Sequence, residues 1–339
     1  MNAPYLKEIP SFMTELPNLQ TLDLRKSPVV SLTNDFWKMQ QLRHLFLSRC
    51  GEVLQGRGTV MSNLQTLSFV HVSVASFSPS RGTTLFPNVK KLAVYGGNLY
   101  GCNKLERLRT LKIVGNIYKA IQPKILPSCL TKLTLRNTRL RQDSVDTLGR
   151  LPNLLILKLF DDSLSTYDGI LVFGKRSFLQ LQVLHFVELG FSLSGWCVES
   201  GALQSLQNLL FRGCRHLSSI PDELKHVTTL RHVKTMWCSD TLAEDISRKL
   251  GKDVDFSISA WVGKQEYFEI VCVDPPLGRG RDSAGAGDGD GHSEASVRAM
   301  TTGAVRPARG RRRGSSAVKP VRGPRRRESS MWAMAGVTE

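Results

Sequence analysis

Apolar and polar positions over the first 240 residues follow one recurring phrase, L-x-x-L-x-L, as in "LPNLQTLDLR" (16–25) and "LPNLLILKLF" (151–160). Its first apolar residue falls at Leu19, Leu42, Leu64, Val89, Leu108, Leu130, Leu154, Leu181, Leu206 and Leu230. Nine steps cover 211 residues, a mean of about 23 per step. The L-x-L half places two apolar side chains two residues apart, so a short strand sends both to one face. Leu22 and Leu24, Leu45 and Leu47, and Leu157 and Leu159 are therefore expected to enter a common core.

One such unit cannot bury its apolar face alone, whereas stacked units can. Each buried leucine contributes roughly 1.5–3 kcal/mol, against an ordering entropy of about 1–2 kcal/mol per residue. The period lies in the leucine-rich-repeat range. The expected fold is thus an α/β leucine-rich-repeat solenoid of about ten repeats over residues 1–238. It has a curved parallel sheet on the concave face and irregular or short helical segments on the convex side. The eighth residue of each repeat should bond backbone groups where the chain leaves the strand. Ser27, Cys50, Asn116, Thr138, Asp162, Cys214 and Cys238 suit that ladder, while Val72, Gly97 and Leu189 do not.

Residues 239–271 read as a closing element. Thr241 to Glu244 match a capping box, Leu242, Ile246 and Leu250 share a helix face, and Gly251 suits the helix end. Residues 6–16 look like the convex half of a preceding repeat, so the chain is expected to begin inside a domain. Residues 272–339 are rich in Gly, Ala and Arg, with ten basic and no acidic residues from Arg306 to Arg327. This composition cannot support a core and is expected to be disordered. The basic run reads as an extension without function of its own, with a nuclear-targeting or loose nucleic-acid contact as the other reading.

Composition narrows the chemistry. Seven scattered cysteines with no C-x-x-C fit neither a disulfide framework nor a zinc site. No secretory leader, membrane-length apolar run or N-glycosylation sequon occurs. The reading is a reducing, cytoplasmic setting. "GILVFGKRS" (169–177) mimics a phosphate-binding loop, but Arg176 stands where Mg²⁺ binding needs Ser or Thr, and apolar residues fill its centre. No metal ligand set and no catalytic motif emerges, so an enzyme is not expected.

The outward strand positions carry the functional signal. Three per repeat give thirty, of which eight are Lys or Arg, three are His and only Asp23 is acidic. A solvated face normally mixes signs. The expected partner surface comprises Arg25, His44, Phe46, Lys91, Tyr95, Lys112, Lys132, Arg136, Lys158, Phe160, Arg212 and Lys234. Lys91, Lys112, Lys132, Arg136 and Lys158 should form one stripe with Tyr95 and Phe160 at its flank. Such a field attracts acidic partners.

Longer phrases resemble plant intracellular nucleotide-binding leucine-rich-repeat immune receptors of the coiled-coil class. They include 16–48, "LPSCLTKLTLRNTRLRQDSVDTLGRLPNLLILKL" (126–159), "YDGILVFGKRSFLQLQVLHF" (167–186) and 206–233. The likeness covers residues 6–258. It implies a recognition and autoinhibitory module whose partners are an acidic surface of a nucleotide-binding domain, a pathogen effector or a guarded host protein. No cofactor is implied for this chain itself; ADP or ATP would enter only through an upstream domain. The other reading is a generic scaffold or ubiquitin-ligase substrate adaptor.

Overall fold

The structure is a computed structural model that describes residues 11–25, 34–47, 59–71, 84–96, 99, 101–117, 119–166, 168–190, 193–250 and 254–259. The sequence-based readings at Ser27, Cys50, Val72, Gly97, residues 6–10, Gly251 and the 272–339 tail lie outside these residues.

Each repeat phrase forms one short strand. They are β1 Thr21–Leu24, β2 His44–Leu47, β3 Thr66–His71, β4 Lys91–Tyr95, β5 Thr110–Val114, β6 Lys132–Arg136 and β7 Ile156–Phe160. There follow β8 Ile170–Phe173, β9 Val183–Val187, β10 Gly195–Val198, β11 Asn208–Arg212, β12 His232–Met236 and β13 Asp255–Ser259. Eleven of them pair in sequence order, all parallel, into one sheet from which only β8 and β10 are absent.

Leu22 pairs with Leu45, and the column continues through Leu67, Leu92, Leu111, Leu133, Leu157, Leu184, Leu209 and Val233. All of these are buried. Period-two geometry thus turns a sequence repeat into a continuous apolar column that each neighbour completes. A second column runs from Phe211 through Thr235 to Ile258. Thr235 is 2% exposed and its hydroxyl has no hydrogen-bond partner.

The return side differs from expectation in one place. β8 and β10 pair in parallel as a separate two-stranded sheet. Leu171, Phe173, Trp196 and Val198 face the core from it. The phosphate-loop mimic is therefore this strand, and Leu171 and Phe173 of its apolar centre enter the core. The rings of Phe173, Phe186, Trp196 and Phe211 pack together behind it, with centroids 5.3–6.0 Å apart.

The α-helices among the described residues are short: α1 Ser11–Thr14, α2 Gln142–Leu148 and α3 Asp240–Lys249. In α3, Leu242 and Ile246 are fully buried, as their spacing requires. The cap is Ser239 rather than Thr241: its Oγ accepts from Leu242 N at 3.4 Å, two residues earlier than the capping-box reading. Asp245, also on α3, accepts from Ile220 N at 2.9 Å and from Arg248 and Lys249. Burial acts to raise its pKa, but the Ile220 N–H and the two cations outweigh it and hold the carboxyl below its ordinary value. After α3, β13 adds an eleventh rung within the segment read as a closing element.

Candidate functional site

The outer face of the sheet presents three rows of side chains, set by strand register. The first runs Thr21, His44, Thr66, Lys91, Thr110, Lys132, Ile156, Val183, Asn208, His232 and Asp255. Ala93, Lys112, Thr134, Lys158, His185, Leu210 and Lys234 belong to the second. Tyr95, Val114, Arg136, Phe160, Val187, Arg212 and Met236 form the third. Lys91, Lys112, Lys132 and Lys158 consequently zigzag between the first two rows over β4 to β7. Tyr95 and Phe160 stand in the third row beside them.

Arg136 departs from the expected stripe. It lies in the third row, where its Nε pairs with the Asp161 carboxylate just past β7. Arg25 is likewise held by Asp23 at 2.6 Å, and its guanidinium lies 5.1 Å from the Phe46 ring. His44 stacks on Phe46 and bonds Thr66 Oγ1 at 3.1 Å. Near the other end, the Arg212 guanidinium covers the Trp237 ring at 4.5 Å, and Lys234 is exposed. Among the described residues, carboxylates thus meet Arg25 at one end of the face, Arg136 at its centre and His232 at the other end, while the strand positions of β4 to β7 themselves carry no acid.

A β-bulge adds a residue that period-two reading misses. Ser68 and Phe69 together oppose Ala93, because pairing resumes one residue late at Val70–Val94 and His71–Tyr95. Val70 therefore takes the register of the inward column instead of the outward row. Phe69 has φ +60° and turns out of the core column. Its ring centre lies 5.5 Å from that of Tyr95, and Lys112 Nζ sits 4.9 Å from the Phe69 centroid. A cation–aromatic cluster stands at the N-terminal end of the lysine zigzag.

His185, in the second row beside Lys158, carries no charge at neutral pH. Burial, then the positive charges of Lys158 and Lys132, lower its pKa to about 3. Val187, an outward position by alternation, is buried between the longer Phe160 and Arg212.

Behind the strand ends, Thr138 Oγ1 donates to Ser163 O at 2.9 Å while fully buried. Asp162 is exposed instead, because Ser163 N closes a tight turn onto Asp161 O and brings Ser163 inside. Asn116 is half-buried at the exit of β5, and Leu189 is buried. Cys214 Sγ reaches Phe186 O at 3.5 Å and Cys238 Sγ reaches Met236 O at 3.4 Å. Hydrogen bonding from Cys214 lowers the Cys238 pKa and raises that of Cys214.

A second ladder runs at the entrance to the strands. At five of the ten repeats an Asn, Ser or Thr before the first apolar position bonds a carbonyl one rung back: Asn63 to Gln40 O, Asn88 to Ser62 O, Asn153 to Ser128 O. Ser205 to Leu179 O and Thr229 to Gln204 O complete the same pattern. The "PN" of the repeat phrase was the available signal at Asn88 and Asn153.

Residues 86–251 match the model of a leucine-rich repeat region. With the parallel rungs and their buried columns, that decides the class. This chain is a leucine-rich-repeat solenoid. Its relatives are plant disease-resistance proteins. Late blight resistance protein R1-A of Solanum demissum is 28% identical over 70% of this chain and 19% of its own length. A putative late blight resistance protein homolog of the same plant is 27% identical over 70% of this chain and 20% of its own. A putative disease resistance RPP13-like protein 3 of Arabidopsis thaliana is 30% identical over 65% and 28%. The chain therefore spans between about a fifth and somewhat over a quarter of the length of these relatives. Among solved structures, a leucine-rich-repeat protein of Leptospira interrogans aligns over 74% of this chain and 75% of its own, with TM-score 0.35 and 16% identity. No helix among the described residues is long and apolar enough to cross a membrane.

Proposed function

We propose that this solenoid is the recognition and autoinhibitory module of an intracellular plant immune receptor, and that its outer sheet face is the partner surface. The observation that carries the reading is the zigzag of Lys91, Lys112, Lys132 and Lys158 over four consecutive strands whose outward positions hold no carboxylate. Strands sit about 4.8 Å apart, so the four ammonium groups create one positive field for an acidic protein surface. The partner chemistry is that of an acidic patch on a nucleotide-binding domain, with an effector or guarded host protein competing for it. Nucleotide stays with that domain, and this chain takes none.

Exposed ion pairs contribute at most about 1 kcal/mol each, so the contact is multivalent, salt-sensitive and releasable. A switch depends on such modest differential binding. The test co-expresses this chain with the nucleotide-binding region of a late blight resistance protein. Co-precipitation that weakens with salt, and suppression of effector-free cell death, are expected. Reversal of the four lysines to glutamate should abolish both. Unchanged, salt-insensitive association of the reversed variant overturns the surface.

A further inference from the structure

The exits of β5, β6 and β7 enclose a recess of about 240 Å³ with Lys119, Arg139 and Arg141 in its lining, together with Asn116, Ser144 and Ser165. The recess lies on the rim of the sheet, outside the lysine zigzag. Backbone bonds between rungs fix its walls: Ile117 N to Thr138 O at 3.0 Å, Arg139 N to Asp162 O at 3.0 Å, Leu140 N to Ser163 O at 2.9 Å and Ser165 N to Leu140 O at 2.7 Å. Arg139 and Arg141 flank the buried Leu140 and are both exposed. Arg139 adopts a left-handed backbone, φ +49°, which bulky side chains seldom take unless the surroundings impose it.

Charge makes the recess unusual. No carboxylate lines it. Among the described residues, none of its three cations forms an ion pair. The neighbouring acids are engaged elsewhere: Asp161 holds Arg136, and Asp143 accepts from Ser144 N at 2.7 Å. Asp162 is exposed at the rim next to Arg139. Three like charges at one recess repel one another, and an anion between them removes that repulsion. Two guanidinium forks and an ammonium suit a tetrahedral dianion better than a planar carboxylate, because several oxygens can accept at once. Asn116 and Ser165 supply neutral donors at the same recess.

We propose that this rim recess binds a phosphate monoester dianion, carried either by a small molecule or by a phosphorylated serine of a docked protein. The inference stands independently of the lysine zigzag.

Calorimetric titration of the full chain with inorganic phosphate, O-phosphoserine, a phosphoserine peptide and its unphosphorylated form tests it. Saturable one-to-one binding of the phosphate-bearing probes is expected, with none for the unphosphorylated peptide. Arg139→Gln with Arg141→Gln should weaken binding at least about tenfold, and Lys119→Gln alone should weaken it less. Asp162→Asn removes the nearby negative charge and should tighten it. Arg107→Gln with Arg150→Gln removes the same charge elsewhere and should leave binding unchanged. Peptide affinity well above that of O-phosphoserine assigns the ligand to a protein, and equal affinity assigns it to a small ester. Absence of saturable phosphate binding, or equal loss in the remote double variant, overturns the site. Lys119 is exposed, so its variant keeps the test valid should the double substitution disturb folding.

Discussion

Lys112 on β5 reaches past β4 to hold its ammonium 4.9 Å from the centre of the Phe69 ring on β3. Only the bulge at Ser68–Phe69 makes this contact possible, since regular alternation would send Phe69 inward. A double-mutant cycle with Phe69→Ala and Lys112→Ala should give a coupling of about 0.5–1 kcal/mol in chemical unfolding. Additive effects would show that the two side chains do not interact in solution.

Asn153 joins adjacent rungs through Ser128 O at 2.9 Å. Asn153→Ala leaves that carbonyl without its partner and should lower stability by about 1 kcal/mol. Asn153→Asp keeps an acceptor but removes the donor, and should be at least as harmful. An unfolding midpoint unchanged in both would remove the entrance ladder from the account of stability.

Thr235 offers the reverse case. Its hydroxyl is enclosed in the second apolar column with no partner. Thr235→Val keeps the shape and removes the desolvated polar group, so a stabilisation of about 1 kcal/mol is expected. Thr235→Ser, which keeps the hydroxyl and removes a methyl, should destabilise.

His185 gives the fold a pH dependence of known sign. Its native pKa, about 3, lies below the ordinary 6.5. The unfolded chain therefore binds a proton that the native state refuses, and stability falls as pH drops from about 6.5 towards 3. The slope from this one group approaches roughly 1 kcal/mol per pH unit within the window. His185→Gln should flatten that component. Parallel pH–stability curves for the two proteins would contradict the assignment.

The rungs were legible because two independent periods, two within a strand and about 23 between strands, agree at Leu22, Leu45, Leu111 and Leu157. Features that break one period were not. The adjacent apolar pair Phe69–Val70 fits either phase of alternation, so the bulge left no signature. The Arg136–Asp161 pair escaped a reading confined to strand positions, because Asp161 sits just past its strand. Ser239 lost to Thr241 because the Thr-x-x-Glu pattern is the stronger local signal, whereas Ser239 Oγ also donates to Leu217 O at 2.9 Å, a contact distant in sequence. The "PN" ladder was visible in every copied phrase that contains it, but leucine spacing alone does not draw the eye to it.

Gln142 of α2 meets Val172 of β8 as a neighbouring strand would: its side-chain amide donates to Val172 O at 2.7 Å and its carbonyl accepts from Val172 N at 3.1 Å. Asp168 Oδ1 takes the next free N–H on the same side, that of Ile170, at 3.0 Å. β10 occupies the opposite side. The β8 edge of the small sheet consequently ends in side chains rather than in an open row of donors and acceptors, and another extended chain finds no template along it. Replacement of Gln142 by leucine would uncover that row, turning a closed border of the solenoid into a place where copies of the protein can join by strand addition.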